Sequence, residues 1–351
     1  MKKRIMALAL ALCLVLGLAG CGPDQPQESP KAQQFSVTWF DLFDTVTIIQ
    51  GFAADEQQWD EQMDRLHAEL LEYHQLYDIY NAYEGMENLY TINQKAGQGP
   101  VKADEKILDL LELALELYGE TDGRINVAMG SVLSIWHDAR EIGMETPELA
   151  YLPDMAELEA AAAHCDPADV VIDRQAGTVE LLDPEMRLDV GSIAKGYAAE
   201  MGARLLREQG LESAMLSLGG NLCAVGTKPD GAQWTGGIQD PDNTENYLKA
   251  VYLEDMALVT SGDYQRFYMV DGQRMHHIID PDTLMPTTYC RSVTVLNPDS
   301  GRSDGYSTAL FCMDPQEGLA MVEALEDTEA LWVLPDGSIL ESSGFESHVR
   351  Q

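Results

Sequence analysis

The chain reads as an α+β protein of mainly antiparallel sheets with packed helices. Three observations predict this. The last third alternates short β-rich runs with the hairpin signals Asp271-Gly272 and Pro335-Asp336-Gly337. Ahead of them, residues 55–77 and 103–118 place apolar side chains at helical spacing. No Gly-x-Gly-x-x-Gly follows the first strand, which removes the support a Rossmann-type sheet would need. Hairpins mixed with helices argue against a doubly wound sheet.

The N-terminus reads as a targeting segment. Lys2, Lys3 and Arg4 precede an apolar run over 5–18 that is short for a membrane span. Leu18-Ala19-Gly20-Cys21 then resembles a bacterial lipobox. We expect a lipoprotein signal peptide over 1–20, lipid on Cys21, a Pro- and Gln-rich tether over 21–34 and one folded domain over 35–351. The expected location is the outer face of the cell membrane, lipid-anchored. An ordinary signal peptide with a chance cysteine is the alternative.

In chain order, 35–50 is strand-like. The helix over 55–77 has Trp59, Met63, Leu66, Leu70 and Tyr77 on its inner face. Residues 78–99 form a polar connection, 103–118 a second helix, 123–130 a compact loop and 131–140 another helical piece. Pro153 opens a helix to 165, since proline suits a first helical turn. Strands follow at 170–173 and 178–182. After a helix ending at Gly210 come strands at 214–218, 222–226, 251–260, 265–279 and 291–297. Helices at 303–313 and 315–325 and a hairpin over 331–340 close the chain.

The 351 residues, 45% of them hydrophobic, support a substantial core. Formal charge is 22 − 59 = −37, which excludes a nucleic-acid backbone as partner. An anionic small ligand also meets repulsion, screened over roughly 10 Å. Its site must supply local positive charge from helix amides, a lysine or a divalent cation. Beyond Cys13 in the signal and Cys21, Cys165, Cys223, Cys290 and Cys312 show no metal spacing. They read as small core residues, with pairing left open.

Four stretches carry chemistry. Around Arg187–Glu200, a strand passes through Gly191 and Ser192 into a helix. Ser192 reads as its N-cap, and Lys195 lies in the first turn. The first amides of such a helix favour an anion, so the turn can hold a nucleotide diphosphate, or it is an ordinary strand-to-helix turn. Thr260, Ser261 and Gly262 come straight after an apolar strand, where two hydroxyls and a glycine can cradle an oxyanion or form an ordinary strand-end turn. His276 and His277 alternate on a strand, so one can face a site while the other is solvated. His277 is the candidate acid/base or phosphate ligand. Asp304 and Thr308, four apart on a helix, offer a carboxylate and a hydroxyl on one face, which suits Mg²⁺.

Taken in order, the segments 188–200, 218–221, 236–241, 259–263, 276–281 and 303–309 resemble the ApbE family, the FAD:protein FMN transferases. Weaker matches over 40–45, 77–93 and 123–136 extend the likeness over nearly the whole mature chain. The resemblance implies a T-fold-like architecture, Mg²⁺ dependence and FAD as donor substrate. By motif position it implies FAD contacts from Asp189 and Lys195, and a metal held by Asp304, Thr308 and the main-chain carbonyl of Ser192. Tyr80 would lie by the isoalloxazine, with Phe43, Arg124, Ile125, Asn126 and Ile278 completing the flavin site. His277 matches the histidine the family needs. Three positions depart from the family pattern: its Met-Gly-Thr reads Phe43-Asp44-Thr45, its Phe-Asp-x-Thr reads Ile125-Asn126-Val127-Ala128, and a usual glycine is Leu284.

The implied reaction links FMN to a Thr or Ser hydroxyl of an exported acceptor protein and releases AMP. The alternatives are an FAD pyrophosphatase that uses water and frees FMN, and a flavin-binding lipoprotein without catalysis.

Overall fold

The computed structural model describes residues 32–351. The proposed signal peptide and Cys21 lie outside the described residues. The tether, expected to run to 34, gives way earlier to β1 (Gln33–Leu42).

The frame is one antiparallel sheet of eight strands. Their order is β1, β2 (Thr45–Ala53), β6 (Ala214–Leu218), β7 (Asn221–Val225), β10 (Ala257–Gly262), β13 (Ser292–Asn297), β14 (Glu329–Val333) and β15 (Ile339–Glu341). One face packs on the helices α1 (Glu56–Tyr77), α6 (Ala194–Glu208) and α7 (Ser300–Phe311). The other is covered by the hairpin of β8 (Trp234–Asp240) and β9 (Asn243–Leu253). Alternation along each strand distributes its side chains between the two layers. Leu216 and Leu218 join the helical core, whereas Met215 joins Trp234 and Val251. Ala330 and Trp332 likewise face the helices, while Leu331 and Val333 face the hairpin. Because both faces are covered, β13 is buried at every position and reads as a continuous run rather than an alternating one.

The remaining elements build outward from this frame. They are α2 (Leu89–Gln94), β3 (Val101–Lys102), α3 (Glu105–Glu120), α4 (Gly130–Glu145), α5 (Met155–Ala162), β4 (Val170–Asp173), β5 (Thr178–Leu181), β11 (Phe267–Val270), β12 (Gln273–His276) and α8 (Pro315–Val322). Strands β3, β5 and β4 form a small sheet, and β11–β12 a separate two-stranded one. The third apolar cluster joins α4 to that ribbon through Trp136, Tyr268 and Met275.

The α+β expectation holds, and five local expectations change. The strand foreseen over 35–50 is a hairpin turning at Phe43 and Asp44, both left-handed at φ 53° and 50°. No glycine announces that turn. The polar connection after α1 contains α2, capped by Asn88, whose side chain accepts from Thr91 N–H at 3.1 Å. The β8–β9 hairpin went unread, and the strand expected over 251–260 breaks at Asp255, where φ is 47°. Ser192 is not the N-cap of α6: Ile193 takes that place without a side-chain cap. The strand expected to carry both histidines ends at His276.

The cysteines Cys165, Cys223, Cys290 and Cys312 are all free thiols, three of them buried. Leu66 is fully buried on α1, and a Cβ at Gly202 of α6 would meet its Cδ1 at 3.1 Å. Replacing Leu66 with alanine should therefore cost about 2–5 kcal/mol. A fall in the denaturant midpoint at unchanged m-value is the expected result; an unmoved midpoint contradicts this packing.

Candidate active site

A cavity of about 360 Å³ opens where the helical layer, the end of the large sheet and the β11–β12 ribbon meet. Its floor is the contact between two helices. The Gly196 N–H, in the first turn of α6, donates to Asp304 Oδ2 on α7 at 2.8 Å. A Cβ at Gly196 would collide with the Ser300 carbonyl and approach the Asp304 Cβ to 2.5 Å, so only glycine lets the helices meet this closely. Part of the helix terminus's capacity for an anion thus goes to a carboxylate of the chain itself. Ala194 N–H is also satisfied, by the Val190 carbonyl at 2.9 Å.

Asp304 is buried, at 5% exposure. Burial pushes its carboxyl above the usual range, against the pull of Lys195, the Gly196 amide and Asn221. Beside it runs a chain of hydroxyls. Ser261 Oγ lies 2.8 Å from Ser307 Oγ and 3.2 Å from Thr308 Oγ1, and Ser307 donates to the Asp304 carbonyl at 2.9 Å. Thr260 Oγ1 is 2.9 Å from Thr294 Oγ1. The stretch 260–262 is thus the end of β10 rather than a loop, and its hydroxyls are engaged within the protein.

The cavity collects all fifteen residues singled out from the sequence within 43–308. Their partners differ. Phe43 receives its position from α1: its N–H donates to His74 Nδ1 at 3.1 Å and the two rings meet edge-on at 5.6 Å. Arg124 is turned onto Asp282 and, at 3.6 Å, Asp280. The Asn126 amide is spent internally, donating to the Cys165 carbonyl at 2.8 Å and accepting from Ala128 N–H at 2.9 Å. Ile125 and Ile278 are buried apolar lining. Tyr80 is 55% exposed, its ring 5.1 Å from that of His137. Asp189 Oδ1 accepts from Gly191 N–H at 2.9 Å, and burial raises its carboxyl, opposed by His137, Arg140 and Lys195. Lys195 and the exposed Gly191 edge lead to Ser192, freed from capping.

The histidine pair behaves differently from strand alternation. Both are drawn inward. His276 is a core latch rather than a solvated residue: its Nδ1 accepts from Ile278 N–H at 3.2 Å and its Nε2 lies 2.8 Å from the Thr287 carbonyl. Burial lowers its pKa. His277 lines the cavity, and its buried Nδ1 has no hydrogen-bond partner. Burial, followed by Arg266, His276, Arg140 and Lys195, brings its pKa down to about 3, so the ring is neutral near pH 7. In the turn after it, Leu284 takes left-handed backbone, the conformation that favours glycine. Leu284 adopts φ 59°, strain of about 1–3 kcal/mol, and its carbonyl accepts from Trp136 Nε1 at 2.9 Å.

A buried ion-pair network fixes the ribbon to the large sheet. Asp263, directly after β10, accepts from Arg274 of β12 and from Arg291 before β13, both at 2.8 Å. Sequence reading missed several lining residues. Asn221, at 4% exposure, leaves its Nδ2 without a partner; it stands at the end of the 218–221 segment, which was noticed only as a motif. Arg140 and His137 on α4, and Arg266, carried no sequence signal beyond their charge.

The donor set can be tested for a divalent cation. Asp304, Thr308 and Ser261 offer hard oxygens. Among the described residues, no group of three or more His, Cys, Asp or Glu side chains is placed to hold a metal. An ion here would take one carboxylate and complete its shell from ligand phosphates and water, which fits Mg²⁺.

The ApbE family model matches residues 43–332. The chain is 35% identical over 279 residues to a Treponema pallidum protein named FAD:protein FMN transferase, covering 75% of each. It is 32% identical over 268 residues to a Klebsiella pneumoniae protein of the same name, covering 76% of this chain and 81% of that one. The crystal structure of the ApbE protein from Thermotoga maritima superposes with a TM-score of 0.79 at 26% identity, covering 91% of this chain and 100% of that one. The flavin transferase ApbE from Vibrio cholerae does so at 0.75 and 27%, covering 90% and 99%. On the family match and these relatives, the chain belongs to the ApbE family.

Proposed function

We propose that this protein transfers the FMN half of FAD to a Thr or Ser hydroxyl of an acceptor protein and releases AMP. The observation that carries the reading is a neutral histidine with an unpartnered Nδ1 in the same cavity as Lys195 and the Asp304–Thr308 oxygens. A buried polar atom there, His277 Nδ1, has no hydrogen-bond partner among the described residues, as expected of a group a ligand completes.

The acceptor oxygen forms a bond to the FMN phosphorus. The P–O–P bridge breaks and its electron pair leaves on the AMP phosphate, while the hydroxyl proton passes to His277 Nδ1. Lys195 neutralises diphosphate charge, and the Asn221 amide can donate to a phosphate oxygen. Bound Mg²⁺, held by Asp304, Thr308 and the Ser192 carbonyl, would supply the charge neutralisation that phosphoryl transfer requires. Asp189 and the edge of Tyr80 frame the flavin side, with Phe43, Ile125 and Ile278 as apolar lining.

Asp304→Asn keeps an acceptor for the Gly196 amide but removes the charge. Transfer should fall by about a hundredfold or more, with a raised magnesium requirement and an intact thermal transition. Full activity at the wild-type magnesium midpoint contradicts the metal assignment.

His277→Ala should slow transfer by about 10²–10⁴-fold while FAD affinity, read by flavin fluorescence, changes little. In the wild type, burial holds the folded pKa of His277 at about 3, below its ordinary 6.5, so the base stays unprotonated on acidification through that ordinary value. The rate profile should show no acid limb near pH 6.5 from this group; an acid limb there, lost in the variant, overturns the assignment.

The lipobox-like 18–21 supports a lipid anchor on Cys21 and action at the outer face of the membrane. Cys21→Ala should move the expressed chain from the membrane pellet to the soluble fraction; an unchanged pellet fraction rules that anchor out.

A further inference from the structure

The two edges of the large sheet differ. β15 is three residues long, and its Glu341 is paired with Lys249 at 2.8 Å. A short strand with charge beside it is a common protection of a sheet edge. β1, at the other edge, has ten residues and contains no proline, lysine or arginine. Asp41 is its only charged residue, in a chain with 59 acidic ones. Seven positions, Gln33–Trp39, pair regularly with β2 before the register shifts ahead of Leu42.

Side chains along β1 alternate between two surroundings. Phe35, Val37 and Trp39 pack on the helical core, with Phe35 stacked on Trp59 and Trp39 edge-on to His67. Gln34, Ser36, Thr38 and Phe40 are exposed, Phe40 at 75%. Among the described residues, the main chain of 33–42 has no hydrogen-bond partner outside β2. Alternate N–H and C=O groups of an edge strand point away from its sheet, so β1 presents a row of open donors and acceptors.

This edge runs into the site. After Leu42 the chain turns through Phe43 and Asp44 into Thr45 of β2, and all three of these line the cavity. The register shift just before the turn re-aims the strand, as bulges beside sites do. A segment laid along β1 is therefore led to the Phe43 side of the cavity. A second copy of this chain would bring −37 against −37. An acceptor segment has the better claim: its hydroxyl must arrive at the cavity, and an extended segment gains main-chain hydrogen bonds on an open edge whatever its side chains.

We propose that β1 is the docking strand for the acceptor: an extended segment of the acceptor adds to the sheet beside 33–39 and delivers its Thr or Ser past Phe43. The inference rests on the transferase reading. Recognition at this edge reads conformation, since a hydroxyl held in a helix or a tight turn comes without a segment that can pair.

The test uses the full chain with FAD, magnesium and a pool of short synthetic peptides, each with one central Thr and randomised flanks. Peptides that take up FMN are identified by mass spectrometry and remade with a single backbone N-methyl group at each position in turn. On one side of the Thr, methylation should slow labelling by at least about threefold at every second residue and little in between, because alternate amides face β1. In hydrogen–deuterium exchange the same peptides should slow the amides of 33–42, while FAD affinity, read by flavin fluorescence, stays unchanged. A methylation profile without that alternation overturns the proposal, as does protection that falls elsewhere and leaves 33–42 exchanging freely. So does protection of 33–42 without peptide: if it rises with protein concentration the edge belongs to a second copy, and if it is lost on deleting 22–31 it belongs to the tether. A pool in which no peptide takes up FMN contradicts the transferase reading itself, and this proposal falls with it.

Discussion

The hydrogen bond from Gly196 N–H to the Asp304 carboxylate is the contact on which the site depends. It places a buried negative charge at the positive end of α6, where helix amides and Lys195 offset part of its desolvation. The same contact sets the distance between α6 and α7, because no side chain intervenes at Gly196. A second glycine lies on this seam, where a Cβ at Gly301 would approach Tyr197 Cα to 3.3 Å, and on the other side of α7 a Cβ at Gly305 would meet Leu117 Cδ1 of α3 at 2.6 Å. Helices that approach this closely bring Lys195, Asp304 and Thr308 to one cavity. The free oxygen of Asp304 and the Thr308 hydroxyl are then presented by packing rather than by a loop.

The charge of the whole chain gives the cavity its logic. At −37, the molecule opposes any phosphate ligand, and the opposition is overcome locally. Four aspartates line the cavity, but only Asp304 stands beside the Ser261 and Thr308 hydroxyls; the histidine there is neutral, and three cations with no ion-pair partner among the described residues line the same space. A site with more carboxylates would bind a metal ion more tightly alone. On the proposed reading, an ion here would leave much of its coordination to the substrate, so that occupancy by the ion would be coupled to occupancy by the diphosphate.

Fold class and most site positions were legible because they rest on local chemistry. The 55–77 periodicity is the buried stripe of α1, and Asp271-Gly272 is the left-handed turn of the small ribbon, at φ 50° and 80°. What escaped depends on distant packing. Phe43 and Asp44 adopt left-handed backbone without a glycine because the strands on either side and the His74 ring hold them there. Ser192 looked like a cap, but the cap falls one residue later, at Ile193, because the Val190 carbonyl accepts from Ile193 and Ala194 N–H, and Asp304, over a hundred residues away, takes the Gly196 amide. His276 looked solvated by alternation, yet its partners at Ile278 and Thr287 pull it into the core. Arg140 and Arg266 are ordinary basic residues in sequence. Their place in the wall of the cavity exists only in three dimensions.

The histidine and the oxygen ligands reach the cavity on different bodies. His277 follows the two-stranded ribbon, whereas Ser261, Asp304 and Thr308 are fixed to the large sheet and its helix. Asp263 grips one guanidinium from each and so joins them. On the proposed reading, the spacing between proton acceptor and phosphate is therefore set by how the ribbon is seated, and Phe311 of α7, edge-on to the His276 ring at 5.5 Å, ties that seat to the wall that carries the oxygens.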